Sequence, residues 1–446
     1  MSNPIFIARQ DTLEQEILPA QWLSQYKLFG EESYTFQDKE IWKRLCMSRA
    51  AANDRDMHAE ALEEMLTTFS AEHTGKWMLT VYGMDAAVLE GLATMAAVAG
   101  NGTAMAAVAG NALLMHAITN SETAMRVIAN SQTAMQRVAN SATAMDAISG
   151  SKIARGAVQA SPYYNSYIKE NDMAIAKLAV ALASLESAGY SGMAGVAADS
   201  TAMNAVAASS TAMNAVAASS TAMNAVAASS TAMNAVAASA VARNAISASP
   251  YYDAKIKEND MAIAKLVVGF ANLESARYSG CAGMAADSTA MTAVAASSTA
   301  MTAVAASGVA LQAIAKAYKQ TADMLKFLQA VNASDTLIKS IYNTLTKATT
   351  LFAAAQLGAQ DDVASANSWA TTSAAPNAFL ACACGYYSSG NSVNVTYNGT
   401  VIAQKKIGTA KPGSVTSTNV NAITMAPSTF TENGDGYLAV QKFTAK

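Results

Sequence analysis

Histidine is nearly missing from this chain, at three residues in 446, and cysteine, tryptophan and proline are almost as sparse, at four, four and seven. That scarcity bears on chemistry first. Cys46, Cys281, Cys382 and Cys384 are scattered, and the last two supply half a tetrahedral zinc set with no histidine nearby, so neither metal nor cofactor is expected. Charged residues amount to 14%, the net charge is −3, and no Lys/Arg run is long enough to follow a phosphate backbone, which argues against nucleic acid as a partner. Long apolar runs are missing too, because Gly, Asn or Ser interrupts the Ala-rich stretches about every tenth residue, and no membrane span is expected. The opening MSNPIFIARQDTLEQEIL meets acid by Asp11 and has no secretory core, so synthesis in a cytoplasm without signal-directed export is the expectation.

What the chain has in abundance is repetition. From Ser191 to Ser239 the phrase STAMNAVAAS recurs almost unchanged, and with Thr201 as first place, Met203 is third, Val206 sixth and Ser209 ninth. The same frame fits an earlier, more diverged array. Its third places are Met95, Met105, Met115, Met125, Met135 and Met145, and its sixth places are Val98, Val108, Ile118, Ile128, Val138 and Ile148. Eighth places read Gly100, Gly110, Asn120, Asn130, Asn140 and Gly150, residues that tolerate a left-handed stop after a helix. Ninth places read Asn101, Asn111 and then Ser121 to Ser151, residues whose side chains cap a helix start, and Asp199 and Asp287 fall there as well. Pro162 and Pro250 follow Ser161 and Ser249, at a first helical place where a missing amide costs nothing.

Each unit therefore predicts a helix of about two turns, a stop, and a cap that starts the next. In one continuous helix ten residues fall about 80° short of three turns, so the Met/Val stripe would wander around it. In a β-solenoid the third and sixth places have opposite parity, whereas a three-residue step keeps them on one helix face. Alanine also prefers helix. A two-turn helix is not stable alone, so it must stack on its neighbours through the small alanines. Fourth places, from His116, Arg126, Gln136 and Asp146 to Asn204, Asn214, Asn224 and Asn234, are expected on a solvated outer face.

The fold class expected is mainly α with a C-terminal β domain: a solenoid of short capped helices plus a small antiparallel β-sandwich. Residues 1–83 form an N-terminal helical attachment domain, where His58 and His73 lie beside glutamates on faces expected to be solvated. Residues 84–161, 191–249 and 279–308 are three decapeptide arrays. Residues 162–190 and 250–278 are helical inserts of near-identical sequence, offset by 88 residues, so a larger module has been duplicated. Residues 309–358 read as a helical hairpin, with helices near Val309–Val331 and Asp335–Leu357, and residues 359–446 as the β domain. There VNVTYNGTVIAQ, from Val393 to Gln404, signals a hairpin around Asn398-Gly399. Tyr386, Tyr387, Tyr397 and Asn398 are the candidate receptor or partner contacts. Glu432 and Asp435 are neighbours in a Gly-rich loop, a poor match to the two carboxyls flanking a cleft that glycosidases use, and no enzyme activity is expected.

The arrays and the hairpin-bearing tail together resemble a fibre or appendage protein of a tailed bacteriophage. The resemblance implies a virion structural protein, a tail or tail-associated fibre with a repeat shaft and a C-terminal tip for host contact or assembly. Its implied partners are other virion proteins through the N-terminal domain, a bacterial surface receptor and further copies of itself, in a virion assembled in the host cytoplasm. A capsid or neck decoration protein without a receptor role, or a bacterial surface adhesin, are the alternative roles.

Overall fold

The computed structural model describes residue 92 and residues 95–317, 321–361, 369–370, 377–386, 393–405, 414–425, 428–432 and 436–446. The expected attachment domain, with His58 and His73, and Cys46, Tyr387 and Asp435 lie outside these residues. The chain divides into two compact units, Met1–Val196 with Asn214–Ala222, and Ala197–Met213 with Met223–Lys446.

Most decapeptides are helices of eight or nine residues, such as Ser200–Ala208, Ser220–Ala228 and Ser230–Ala238, while those that open the second and third arrays, Met193–Ala198 and Cys281–Ala286, have six. Met213 and Val216 are both fully buried, as one shared helix face requires. Second and seventh places are buried with them: Ala202, Met203, Val206 and Ala207 together make the inner wall of one unit. Successive helices are joined at the extended cap residue, which stands alone after a nine-residue helix and follows one turn residue after an eight-residue helix such as Glu122–Ala129; Ser229, for example, has φ −103° and ψ 119°. The axes of Ser288–Ala296 and Ser298–Ala306 are 105° apart, so three such corners bring the chain back over itself.

The expected left-handed stops are absent from the arrays. Asn130 and Asn140 have φ −93° and −96°, and the only non-glycine residues with positive φ among those described are Ser184, Asn272 and Asn398. The reason is local. The cap's extended backbone already makes the corner, its N–H reaches back three residues, as Ser121 does to Ile118 (3.1 Å), and the Asn130 and Asn140 side chains each donate to the carbonyl four residues earlier (2.9 Å). Left-handed stops occur instead at the ends of the longer insert helices Asp172–Leu182 and Asp260–Phe270. There Leu185 bonds back to Val180, and Leu273 to Val268, closing the six-residue loop typical of such ends.

Among the described residues of both units, helices stack on the third one before them. In the first, Gln132–Ala139 lies on Gly102–Gly110, Ala142–Gly150 on Ala112–Asn120, and Lys152–Gln159 on Glu122–Ala129. In the second, Ser230–Ala238 lies on Ser200–Ala208 and Asp260–Phe270 on Ser230–Ala238. The cap serine joins these layers. Its Oγ accepts from the amide three residues on, and its hydroxyl donates to the seventh-place carbonyl 32 residues back: Ser131 to Ala99 (2.7 Å), Ser141 to Ala109 (2.5 Å), Ser229 to Ala197 (2.5 Å) and Ser239 to Ala207 (2.6 Å). One hydroxyl thus satisfies an orphan amide at one helix start and an orphan carbonyl at a helix end one turn of the coil below.

Past the third array the expected hairpin is corrected. Its first helix is two, Gly308–Lys316 and Ala322–Asn332, and its second, Asp335–Lys347, stops short of Leu357. Ala322–Asn332 stacks on Ser288–Ala296 and Asp335–Lys347 on Ser298–Ala306, so these helices extend the coil's own packing. Strand β1 (Phe352–Asp361) then begins the β domain, seven residues before the expected boundary.

The domain also contains β2 (Trp369–Ala370), β3 (Ala378–Tyr386), β4 (Val393–Tyr397), β5 (Thr400–Lys405), β6 (Ala422–Met425), β7 (Ser428–Glu432) and β8 (Gly436–Ala445). They form two four-stranded antiparallel sheets, ordered β1-β8-β3-β6 and β2-β7-β4-β5. β4 and β5 meet at Asn398-Gly399, with φ 47° and 75°, the type I′ turn that the pair signals. Phe379, Val440 and Phe443 of one sheet share an apolar cluster with Val395 and Tyr397 of the other and with Phe327, Ile338 and Ile341 of the last helices. Buried Asn332 pairs with the free edge of β6, donating to the Ile423 carbonyl (2.6 Å) and accepting from its N–H (3.0 Å), so a side chain stands where another strand would.

Ser239→Ala removes both bonds of one cap. It is expected to lower unfolding free energy by about 1–3 kcal/mol, whereas Ser230→Ala, at an exposed tenth place, costs little. Urea unfolding followed by circular dichroism measures both, and equal losses would contradict this role for the cap.

Candidate functional site

The expected contact residues do not form one exposed group. Tyr397 is completely buried, because strand alternation places it with Val395 on the inner face of β4, and it is corrected from a surface contact to a core residue. Asn398 is exposed at the hairpin tip, and Tyr386 is paired with Gly436 at the end of β3. Cys281, Cys382 and Cys384 are buried and in no disulfide, and burial pushes the Cys281 and Cys382 thiols well up, away from the reactive thiolate. Among the described residues no group of three or more His, Cys, Asp or Glu is placed to hold a metal ion, and no single helix is long and apolar enough to cross a membrane.

Polar chemistry concentrates instead in the two inserts, which build the same constellation twice. In the run Lys169-Glu170-Asn171-Asp172, three consecutive side chains cap three different helices. Asn171 accepts from the Ala174 amide of its own helix (3.1 Å), and Asp172 from the Met193 amide at the start of Met193–Ala198 (2.9 Å). Glu170 reaches the Ser220 and Thr221 amides, both at 3.0 Å, some 50 residues on. The copy repeats this: Asn259 caps Ala262 (3.1 Å), Asp260 takes Cys281 (2.9 Å), and Glu258 takes Gly308 (3.1 Å) and Val309 (3.2 Å). Gly192 and Gly280 make room for it, since a Cβ at either would overlap the carboxylate of Asp172 or Asp260.

Burial pulls the Glu170 carboxyl upward, but the Thr221 and Ser220 amides, the Thr221 hydroxyl and nearby Lys169 outweigh it and hold its pKa below the ordinary 4.5. Asp287, at a ninth place, is held low first by the Tyr278 hydroxyl (2.8 Å), against some burial, and then by the Ala290 and Thr289 amides and Arg277.

The second part of the constellation is a buried lysine. Lys177, 2% exposed, donates to Asp146 (2.5 Å) and to the Ser187 carbonyl (3.2 Å), fastening the loop after the insert helix to the coil below. Lys265, 1% exposed, does the same with Asn234 (2.7 Å) and Ser275 (2.9 Å). Asp146 and Asn234 are fourth places, so these two leave the expected solvated face and become anchors, while Asn204 and Asn214 are exposed as expected. At Lys265 an amide oxygen stands where Lys177 meets a carboxylate, and burial of the ammonium lowers its pKa.

A third substitution completes the pattern. The seventh-place carbonyls of Ser149 and Ala237 lack a cap serine 32 residues on, where the long insert helices carry Ala181 and Gly269. Arg155 and Arg243, standing at third places that most units fill with methionine, donate to those same carbonyls.

The sequence identified the two inserts as duplicated helical segments but not the carboxylates and lysines that fasten them. The available signal was KEND and AIAK, repeated without change in a chain with few charges. Compared with protein-family models the chain matches none, and compared with curated proteins it again matches none.

Asn234→Asp supplies Lys265 with the missing counter-charge and is expected to stabilise the fold by about 1–2 kcal/mol, while Asp146→Asn destabilises by about 1–3 kcal/mol. Chemical denaturation midpoints test both. Because the Lys265 pKa is depressed on folding, its contribution grows as pH rises from the folded value to 10.5, and Asn234→Asp should flatten that slope. Glu170 works from the other end: its contribution is present above pH 4.5 and lost as pH falls through the depressed folded value, so Glu170→Gln should reduce the loss of stability in acid, read from thermal melts across pH 2–6.

Proposed function

We propose that the chain is a structural protein of a tailed-bacteriophage virion, a tail or tail-associated fibre. The coil is its spacer, the segment before the arrays its attachment to other virion proteins, and the β domain its contact with host or neighbour. The observation that carries this reading is the commitment of the chain's polar groups to its own scaffold. Cap serines, insert carboxylates, buried lysines and third-place arginines all bind helix ends and loops, which is what a protein built to hold distance and register needs. Such a coil adds length by adding units, since each contributes the same contacts to the layers beside it.

Immunogold labelling of purified virions carrying an epitope-tagged chain tests the reading. Label on the tail is expected. Label on the head shell or neck would replace the fibre role with capsid or neck decoration, and label confined to the bacterial surface without virions would indicate an adhesin. Deleting residues 1–83 is expected to abolish incorporation while leaving the helical circular dichroism of the purified protein in place.

A further inference from the structure

A cleft of about 600 Å³ opens where the decapeptide coil gives way to longer helices. Its origin is a mismatch of lengths. Asp335–Lys347, at 13 residues, stacks on Ser298–Ala306, at nine, so it outruns its support by about a turn. Thr344 is tied down through its hydroxyl to the Ala305 carbonyl (2.8 Å), and the overhanging turn beyond leaves the space unfilled.

The lining is chemically specific. Lys257 and Lys347 contribute two amines, Ser340, Asn343 and Thr350 contribute hydroxyl and amide groups, and Val309 and Leu351 supply apolar surface. Glu258 also borders the cleft, but both its oxygens are occupied by the Gly308 and Val309 amides. Lys257 shares one proton with exposed Asp253 (3.3 Å), leaving the rest of its ammonium for a ligand. Asp253 lies outside the lining, so the lining itself holds two amines against the amide-bound Glu258 carboxylate, and its volume suits a small molecule. No aromatic ring lines it, so it offers no stacking face to a neutral sugar.

We infer that this cleft binds a sugar acid, a hydroxyl-rich ring carrying a carboxylate, with Lys257 and Lys347 taking the carboxylate and Ser340, Asn343 and Thr350 the hydroxyls. The inference is independent of the virion role, since it rests on the cleft alone.

Isothermal titration of the full chain with glucuronate, glucose and acetate tests it. Saturable binding of glucuronate is expected, with glucose and acetate at least about tenfold weaker, because each lacks one of the two recognised features. The Lys257→Gln/Lys347→Gln double variant should lose at least about tenfold in glucuronate affinity with an unchanged melting curve. Should that variant unfold, Asn343→Asp, which places a repelling carboxylate on an exposed part of the wall, should give the same loss. Absence of saturable glucuronate binding, equal binding of glucose or acetate, or variants that bind as well as the parent would each overturn the assignment.

Discussion

A hydroxyl that both caps one helix and grips the end of another is the interaction on which this structure depends. Helices of two turns leave almost every backbone group within reach of an end, so most of their amides and carbonyls have no partner inside the helix. A fold made of such helices is possible only if the ends satisfy one another. The ninth-place serine does this because corner and stack are commensurate: a corner every ten residues and three corners per turn place each cap beside the seventh-place carbonyl 32 residues back. Burial of Met, Val and two alanines per unit supplies the apolar contribution, but it is modest, and a single helix of this length would not persist in water.

The inserts show what happens where that commensurability fails. A longer helix cannot deliver a serine to the layer below, and the deficit is met by other residues. Arg155 and Arg243 take the carbonyls left behind, Glu170 and Glu258 reach helix starts some 50 residues on, and Lys177 and Lys265 fasten the loops. That the same solution occurs twice, 88 residues apart, follows from duplication. The two copies are nonetheless not equal in energy, because Lys177 meets a carboxylate and Lys265 an amide. A buried ammonium facing a neutral oxygen is the more strained arrangement, since the oxygen dipole returns less of the lost hydration than a full charge.

The β domain extends the same logic to a sheet edge. Asn332 pairs with the backbone of β6 through both ends of its amide, and Tyr342 donates to the Val415 carbonyl (2.9 Å), so the last coil helices cover groups that an isolated sheet would leave open. The apolar cluster runs without a break from Met301 and Leu311 to Val440 and Phe443. A boundary drawn from composition at residue 359 therefore falls inside strand β1 and does not mark an energetic division.

The sequence by itself determined the repeat unit, its helical state and its inner face, because these follow from periods of three and ten residues and from the cap chemistry of Ser, Asn and Asp. It also determined the hairpin at Asn398-Gly399, where two adjacent residues require positive φ. Only the tertiary structure decided that three units make a turn, that Asp146 and Asn234 leave the solvated face to anchor lysines, and that Tyr397 is buried. The physical reason is range. Helix start, stripe and turn are set by residues within about four positions of one another, whereas a carboxylate 50 residues from the amide it binds leaves no periodic trace until the coil has brought the two together.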